Sequence, residues 1–283
     1  MTITIYMPDS EARPDRGSLA PSPKSLAGLR VAVLDNGKPN AVTVMARAAE
    51  TLAGRTGATV SLVVKKGPGG RSANAAIPCS DDIFARLLAE ADVVITGAAD
   101  CGSCTAYSVF DAIALEKHGH PAVVVTTTKF APIAATMSSD FGMPDVRTLV
   151  LPHPLGGTDR DTLWGWADAA AERLEALFLG SRAGEQSAAE QSADDASPAT
   201  GGLDGSVRAA LAQVQALVEA DSSRFHLDGV AADGTVRLTL EITDEACAEC
   251  VMPRDLLEQT ATRVLQASVP AVRRVAITDP RVS

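Results

Sequence analysis

The chain has 283 residues, enough for one large or two modest domains. Its 46% hydrophobic and 4% aromatic content predicts a core built mainly from Ala, Val and Leu, and its formal charge of −10 excludes the basic face that nucleic-acid binding needs. No run of about eighteen apolar residues is present, so no membrane-spanning helix is expected. Met1 to Ser25 carry Pro, Asp and Arg where an export signal would place a charged and then an apolar run. Four of the five cysteines fall in two C-x-x-C pairs. That is unlike a secreted disulfide framework, and it predicts redox, metal or cluster chemistry in a cytoplasmic protein.

Residues 1–28 contain Pro and Ser with little periodicity and read as an extended arm. Leu29 to Asp35 is a first strand, ended by Asn36-Gly37. Asn40 is placed to cap a helix through Thr56, with Val42, Met45, Ala49 and Leu52 on one face. Thr59 to Val64 is the second strand. A glycine-rich loop, Gly67-Pro68-Gly69-Gly70, leads to Cys79, and Ser80 caps a helix over Asp81 to Ala91 whose acidic first turn suits the helix dipole. Asp92 to Thr96 is the third strand, and a helical pattern runs from Cys104 to His118, with Gly119 as its terminator. Ala122 to Thr127, a helix over Phe130 to Ser139, Val146 to Leu151 and a helix over Asp159 to Leu179 complete the region. Val-rich strands alternating with helices predict an α/β domain over 29–180: a flavodoxin-like, doubly wound parallel sheet of about five strands. This pattern does not specify the strand order.

Residues 181–202 lack apolar anchors and are rich in Ser, Ala, Gln and acids, the composition of a flexible linker. Residues 203–283 then read as a small α+β module. It has a helix over Asp204 to Ala220, strands Arg224 to Val230 and Thr235 to Ile242 around an Asp233-Gly234 turn, a helix over Pro253 to Ala267 and a strand over Val272 to Ile277. The second C-x-x-C, Cys247 and Cys250, lies between a strand and a helix.

The chemistry is expected at Ala98-Ala99-Asp100-Cys101-Gly102-Ser103-Cys104-Thr105. A strand turning into a helix through a Gly-bearing loop places the loop at the carboxyl edge of the sheet, where ligands sit in open α/β folds. Cys101 and Cys104 are spaced to form a disulfide, and helix amides near the first thiol favour its thiolate, although the adjacent Asp100 opposes this. A buried, purely structural cysteine pair is the bland alternative. Gly102, Ser103, Thr105 and Ser108 offer amides and hydroxyls to an anionic substrate group, or else ordinary capping. His153, between Pro152 and Pro154 on the same edge, is a candidate acid or base, or a loop residue held for structural reasons. Asn36 and Lys38 follow the first strand there, with Lys38 able to hold a carboxylate. Asn40 is explained by capping alone, and Cys79 is read as packing. His118 and His120 sit at the opposite edge as helix-end residues, and Trp164 and Trp166 as core or interface. No G-x-x-x-x-G-K-[ST] or post-strand G-x-G-x-x-G is present, so neither nicotinamide nor flavin is expected.

Four motifs taken in order resemble the UGSC family, named for a selenocysteine- or Cys-Gly-Ser-Cys turn. They are Asp35-Asn36-Gly37-Lys38-Pro39-Asn40, Ala99 to Thr105, Leu115-Glu116-Lys117-His118-Gly119-His120-Pro121 and Leu151-Pro152-His153-Pro154-Leu155-Gly156. They are more distantly similar to the selenoprotein B subunit of glycine, sarcosine and betaine reductases. The resemblance covers residues 29–158 and implies that Cys101 is the nucleophile and Cys104 its resolving partner, with an external thiol restoring the pair. This chain has sulfur at the selenocysteine position. Residues 204–280 resemble the C-terminal domain of NifU in element order and in Val269-Pro270-Ala271-Val272-Arg273-Arg274-Val275. That resemblance implies an iron–sulfur cluster at Cys247 and Cys250. One C-x-x-C supplies half of a Cys₄ site, so a homodimer through this domain follows from it. Two functions stay open: a cysteine-dependent oxidoreductase acting on a small molecule, and a non-catalytic sulfur or iron–sulfur carrier.

Overall fold

A computed structural model describes residues 17–65, 75, 77–180, 203–219, 223–242 and 253–282. The first sheet has five parallel strands: β1 (Arg30–Asp35), β2 (Thr59–Val64), β3 (Val93–Ala99), β4 (Ala122–Thr127) and β5 (Thr148–Leu151). Their spatial order is β2-β1-β3-β4-β5, the flavodoxin-like arrangement in which the chain leaves β1 toward one edge and β3 toward the other. Helices α1 (Ala41–Thr56), α2 (Asp81–Glu90), α3 (Gly102–Lys117), α4 (Ala131–Asp140) and α5 (Arg160–Leu179) connect and cover it.

The alternation of side chains along each strand divides the core into two layers. Val31, Val33, Ile95, Val123 and Val125 pack with α1 and α5 on one face. Ala32, Leu34, Val94 and Val124 pack with α2, α3 and α4 on the other. Every residue of β3 and β4 is buried, as strands covered on both faces require.

β3 runs three residues beyond its expected end at Thr96, through Gly97, Ala98 and Ala99. The register against β4 breaks between Thr96 and Ala99. Gly97 makes the extension possible, because its φ is 138° and a Cβ there would stand 2.6 Å from the Val125 carbonyl oxygen. β5 begins two residues later than expected, at Thr148, after Arg147 turns inward to the buried Glu116. Two expected caps behave differently. Ser80 stands at the start of α2 without a side-chain capping bond, and Asn40 precedes α1 at φ 63° with its side chain directed elsewhere. Asp159, by contrast, caps α5 through the Thr162 N–H at 3.0 Å.

The second sheet has order β6-β7-β8, with β6 (Ser223–Val230) antiparallel and β8 (Arg274–Thr278) parallel to β7 (Thr235–Ile242). Helices α6 (Leu203–Glu219) and α7 (Arg254–Ser268) accompany it. These two helices bring the module onto the first domain. Val207, Ala210, Val214 and Leu217 join the same apolar cluster as Ala106 and Val109 of α3 and Ile133 and Met137 of α4. Arg263 Nε lies 2.5 Å from Asp140 Oδ1, and the Thr260 hydroxyl 3.7 Å from Met137 Sδ, across the α4–α7 contact. Among the described residues no helix is long and apolar enough to cross a membrane. The Gly67–Gly70 loop, the 181–202 segment, Cys247 and Cys250 lie outside the described residues.

Candidate active site

The chain diverges between β1 and β3, and the Cys101–Cys104 turn lies on the β3 side of this switch point, at the carboxyl edge of the sheet. α3 starts at Gly102, two residues before the expected start, so Cys101 is its N-cap. The Cys104 N–H donates to Cys101 Sγ at 3.3 Å, so the sulfur takes the place a serine or aspartate oxygen normally fills. A thiolate there faces the partial positive charge of the helix N-terminus, which favours the ionised form. The two sulfurs are disulfide-bonded across 5.5 Å between Cα atoms. Ser103 Oγ lies 3.8 Å from Cys101 Sγ. The Thr105 hydroxyl donates to the Cys101 carbonyl at 2.5 Å, a local helix bond that leaves this hydrogen unavailable to a substrate. Cys101 is 3% exposed and Cys104 fully buried, with Ala75 packed on both.

Asp100 is the residue that sequence reasoning undervalued. Its carboxylate accepts from His153 Nδ1 at 2.7 Å and from the Thr127 hydroxyl at 3.0 Å. It also accepts from the Leu155 and Gly156 N–H groups at 3.0 and 3.3 Å. Rather than acting as a bare negative charge against the thiolate, it is enclosed by donors and ties the β5–α5 loop to the turn that carries Cys101. Holding a proton on Nδ1 puts the basic lone pair of His153 on Nε2. Phe130 meets the imidazole edge-on, with ring centres 5.7 Å apart.

The β1–α1 loop closes the other side. Asn36, expected to bind substrate, is buried and commits its side chain to the protein. Its amide donates to the Ala98 carbonyl at 3.0 Å, and its oxygen accepts from the Lys38 N–H at 3.1 Å. Asn40 departs from its expected capping role, its amide bridging to the Leu155 and Thr158 carbonyls at 2.7 and 3.0 Å. Lys38 is half-buried on this loop. Three loops that are distant in sequence are thereby fastened to one another around the cysteine turn. The signal was present in the crowding of Asn, Asp and His at strand ends, but the pairing was not.

Cys79 stands apart. Its N–H donates to Asp111 Oδ1 at 2.8 Å, and Asp111 pairs with the buried Lys65 ammonium at 2.6 Å. Burial, reinforced by Asp111, pushes the Cys79 thiol up to about 12, so it is held as an unreactive thiol. His118 caps the far end of α3 and meets Phe84 edge-on. Trp164 is partly exposed between Arg47 and Arg160, while Trp166 packs on the α1–α5 layer. No group of three or more metal-ligating side chains occurs among the described residues.

Fold and site define an α/β protein of flavodoxin-like strand order with a cysteine pair at the start of the helix that follows its third strand. The chain belongs to the UGSC family, whose sequence pattern matches residues 4–180. No curated protein matches it. Among solved structures it is similar to an NAD(P)H:quinone oxidoreductase from Methanothermobacter marburgensis, with 17% identity and a TM-score of 0.33 over 53% of this chain and 100% of that one. It is also similar to a flavone reductase, with 14% identity and a TM-score of 0.33 over 53% of this chain and 63% of that one.

Proposed function

We propose that the protein is a cysteine-based oxidoreductase acting on a small molecule, with Cys101 as nucleophile and Cys104 as resolving thiol. The observation that carries this reading is Cys101 Sγ serving as the N-cap acceptor of α3 with its partner sulfur in bonding reach. The Cys101 thiolate attacks an electrophilic carbon or sulfur of a substrate R–X, forming S–R and expelling X⁻. Cys104 then attacks the Cys101 sulfur, the S–R bond breaks, and R leaves with the bond's electron pair and takes up a proton. The substrate gains two electrons, the cysteines lose two, and an external dithiol reduces the disulfide. His153 Nε2 accepts or returns the proton, with Asp100 holding the ring. Ser103 and the first-turn amides of Gly102 and Ser103 are the groups offered to an anionic substrate group, and Lys38 to a carboxylate.

The C-terminal domain has the element order of the NifU C-terminal fold, helix, two strands, helix, strand, which supports reading it as the module that exchanges electrons or sulfur with the first site. Cys247 and Cys250 would supply two of the four thiolates of an iron–sulfur cluster, the rest coming from a second copy, or would act as a dithiol. A cluster there would contribute one-electron transfer.

The test is reaction of the reduced protein with an aromatic disulfide, followed by mass mapping. The wild type is expected to release both aryl thiolates and end with Cys101 joined to Cys104, while Cys104→Ser stops with the aryl group on Cys101. Aryl label distributed over all cysteines without preference for Cys101 would favour the carrier alternative.

A further inference from the structure

At Gly102 the cysteine turn meets the chain's own second domain. Twelve of the sixteen residues of α3 are buried, although one helix face is enough to pack on a sheet. Part of the surplus lies against α6, whose Val207, Ala210, Val214 and Leu217 share an apolar cluster with Ala106 and Val109. Contact with the reactive turn itself is made by the last turn of α6. A Cβ at residue 102 would overlap the Leu217 carbonyl, and Leu217 Cα would stand 3.1 Å from it. Gly102 has no left-handed φ that would demand glycine, so it is the close approach of the Leu217 backbone that requires a residue without a side chain.

The electrostatics of the contact are those of a ligand. Carbonyls in the last turn of a helix lack intrahelical donors and carry the negative end of its dipole. The first turn of α3 carries the positive end of its own dipole. The Leu217 carbonyl therefore stands over the helix start where an anionic substrate group would come to rest.

We infer that the α3–α4 face around Cys101 is a docking surface for the C-terminal domain, and that the seated domain occludes the cysteine pair until it lifts away. This rests on reading Cys101 and Cys104 as the redox pair, but the occlusion is measurable without any substrate. The domain is held by the apolar α6 and α7 contacts and by Arg263 against Asp140, and lifting it removes the Leu217 backbone from Gly102, the residue between Cys101 and Ser103.

The experiment uses the full chain in its disulfide form. Hydrogen exchange over residues 100–108 and the rate of disulfide reduction by a phosphine are compared for wild type, Gly102→Ala and Arg263→Glu. The alanine places a methyl where the Leu217 carbonyl sits and is otherwise helix-compatible. The glutamate opposes Asp140 with a like charge and leaves the cysteine turn untouched. Both variants are expected to raise the reduction rate at least about tenfold and to expose residues 100–108, with exchange in β6 and β7 unchanged, as local opening predicts. Wild-type reduction rates in both variants would overturn the inference, as would faster exchange without faster reduction. If either result occurred while the aromatic-disulfide reaction still ran through Cys101, the cover would be refuted and the catalytic reading would stand.

Discussion

Helix α3 has a carboxylate at each end, and the two are built alike but behave differently. Before its first turn, Asp100 collects His153, Thr127 and two backbone N–H groups. In its last turn, Glu116 collects Arg147 and the N–H groups of Ala20 and Ala122, at 2.6 and 2.9 Å. Each fastens a segment distant in sequence onto the helix. They differ in the cation. A guanidinium never gives up its proton, so Glu116 and Arg147, both buried, form a permanent clasp holding the N-terminal segment and β5. An imidazole has a second ring nitrogen able to accept a proton, and His153 remains partly open to solvent. The end of the helix that can move a proton is the end that carries the sulfurs.

The largest effect separating the two ends should come from Glu116→Gln. It leaves the Arg147 guanidinium buried without its counter-ion, a loss of about 3–5 kcal/mol in urea unfolding for a broken buried pair. Once the protein is folded, the pH dependence of Cys101 arylation should be unchanged. Asp100→Asn is expected to show the reverse balance. It keeps one acceptor oxygen and costs about 1–3 kcal/mol, the penalty for weakened buried hydrogen bonds. Its arylation profile, however, should change, because His153 loses the carboxylate that holds its ring. If both variants destabilised equally and left the profile alone, the two clusters would be equivalent clasps and His153 would have no part in the chemistry.

The frame of the first domain was legible because it is local: Val-rich strands, Asp159 before α5 and Gly119 after α3 each announce themselves within a few residues. β3 was cut short because Gly97 reads as a strand ender, whereas here it is the residue that lets the strand pass the Val125 carbonyl. Asn36, Asn40 and Asp100 were individually conspicuous, but their partners lie between 27 and 118 residues away, apart from the Lys38 N–H. No periodicity encodes such pairings. The seating of the second domain did leave a trace in α3, whose run of Ala, Val, Phe, Ile and Leu is apolar nearly all round instead of on one stripe. A helix of that kind needs cover on both sides, and only the assembled structure shows what supplies it.

A smaller effect separates the domain contact from both ends of α3. Asp140 is buried against α7, makes no hydrogen bond among the described residues, and has Arg263 as its facing charge. Burial outweighs that attraction and raises its pKa from 3.8 to about 6. If separation of the domains returns Asp140 to its ordinary value, the docked form binds a proton more tightly than the undocked form. Its contribution to docking is then fully present below pH 3.8 and is lost as pH rises through about 6. Exchange protection of residues 100–108 should accordingly fall between about pH 4 and 6 after correction for the intrinsic rate, and Asp140→Asn should flatten that fall. Arg263→Met should steepen it, because removing the favourable Arg263 charge raises the Asp140 pKa further and widens the window. A profile unchanged by either substitution would mean that the apolar α6 contact alone seats the domain, leaving the cover insensitive to pH.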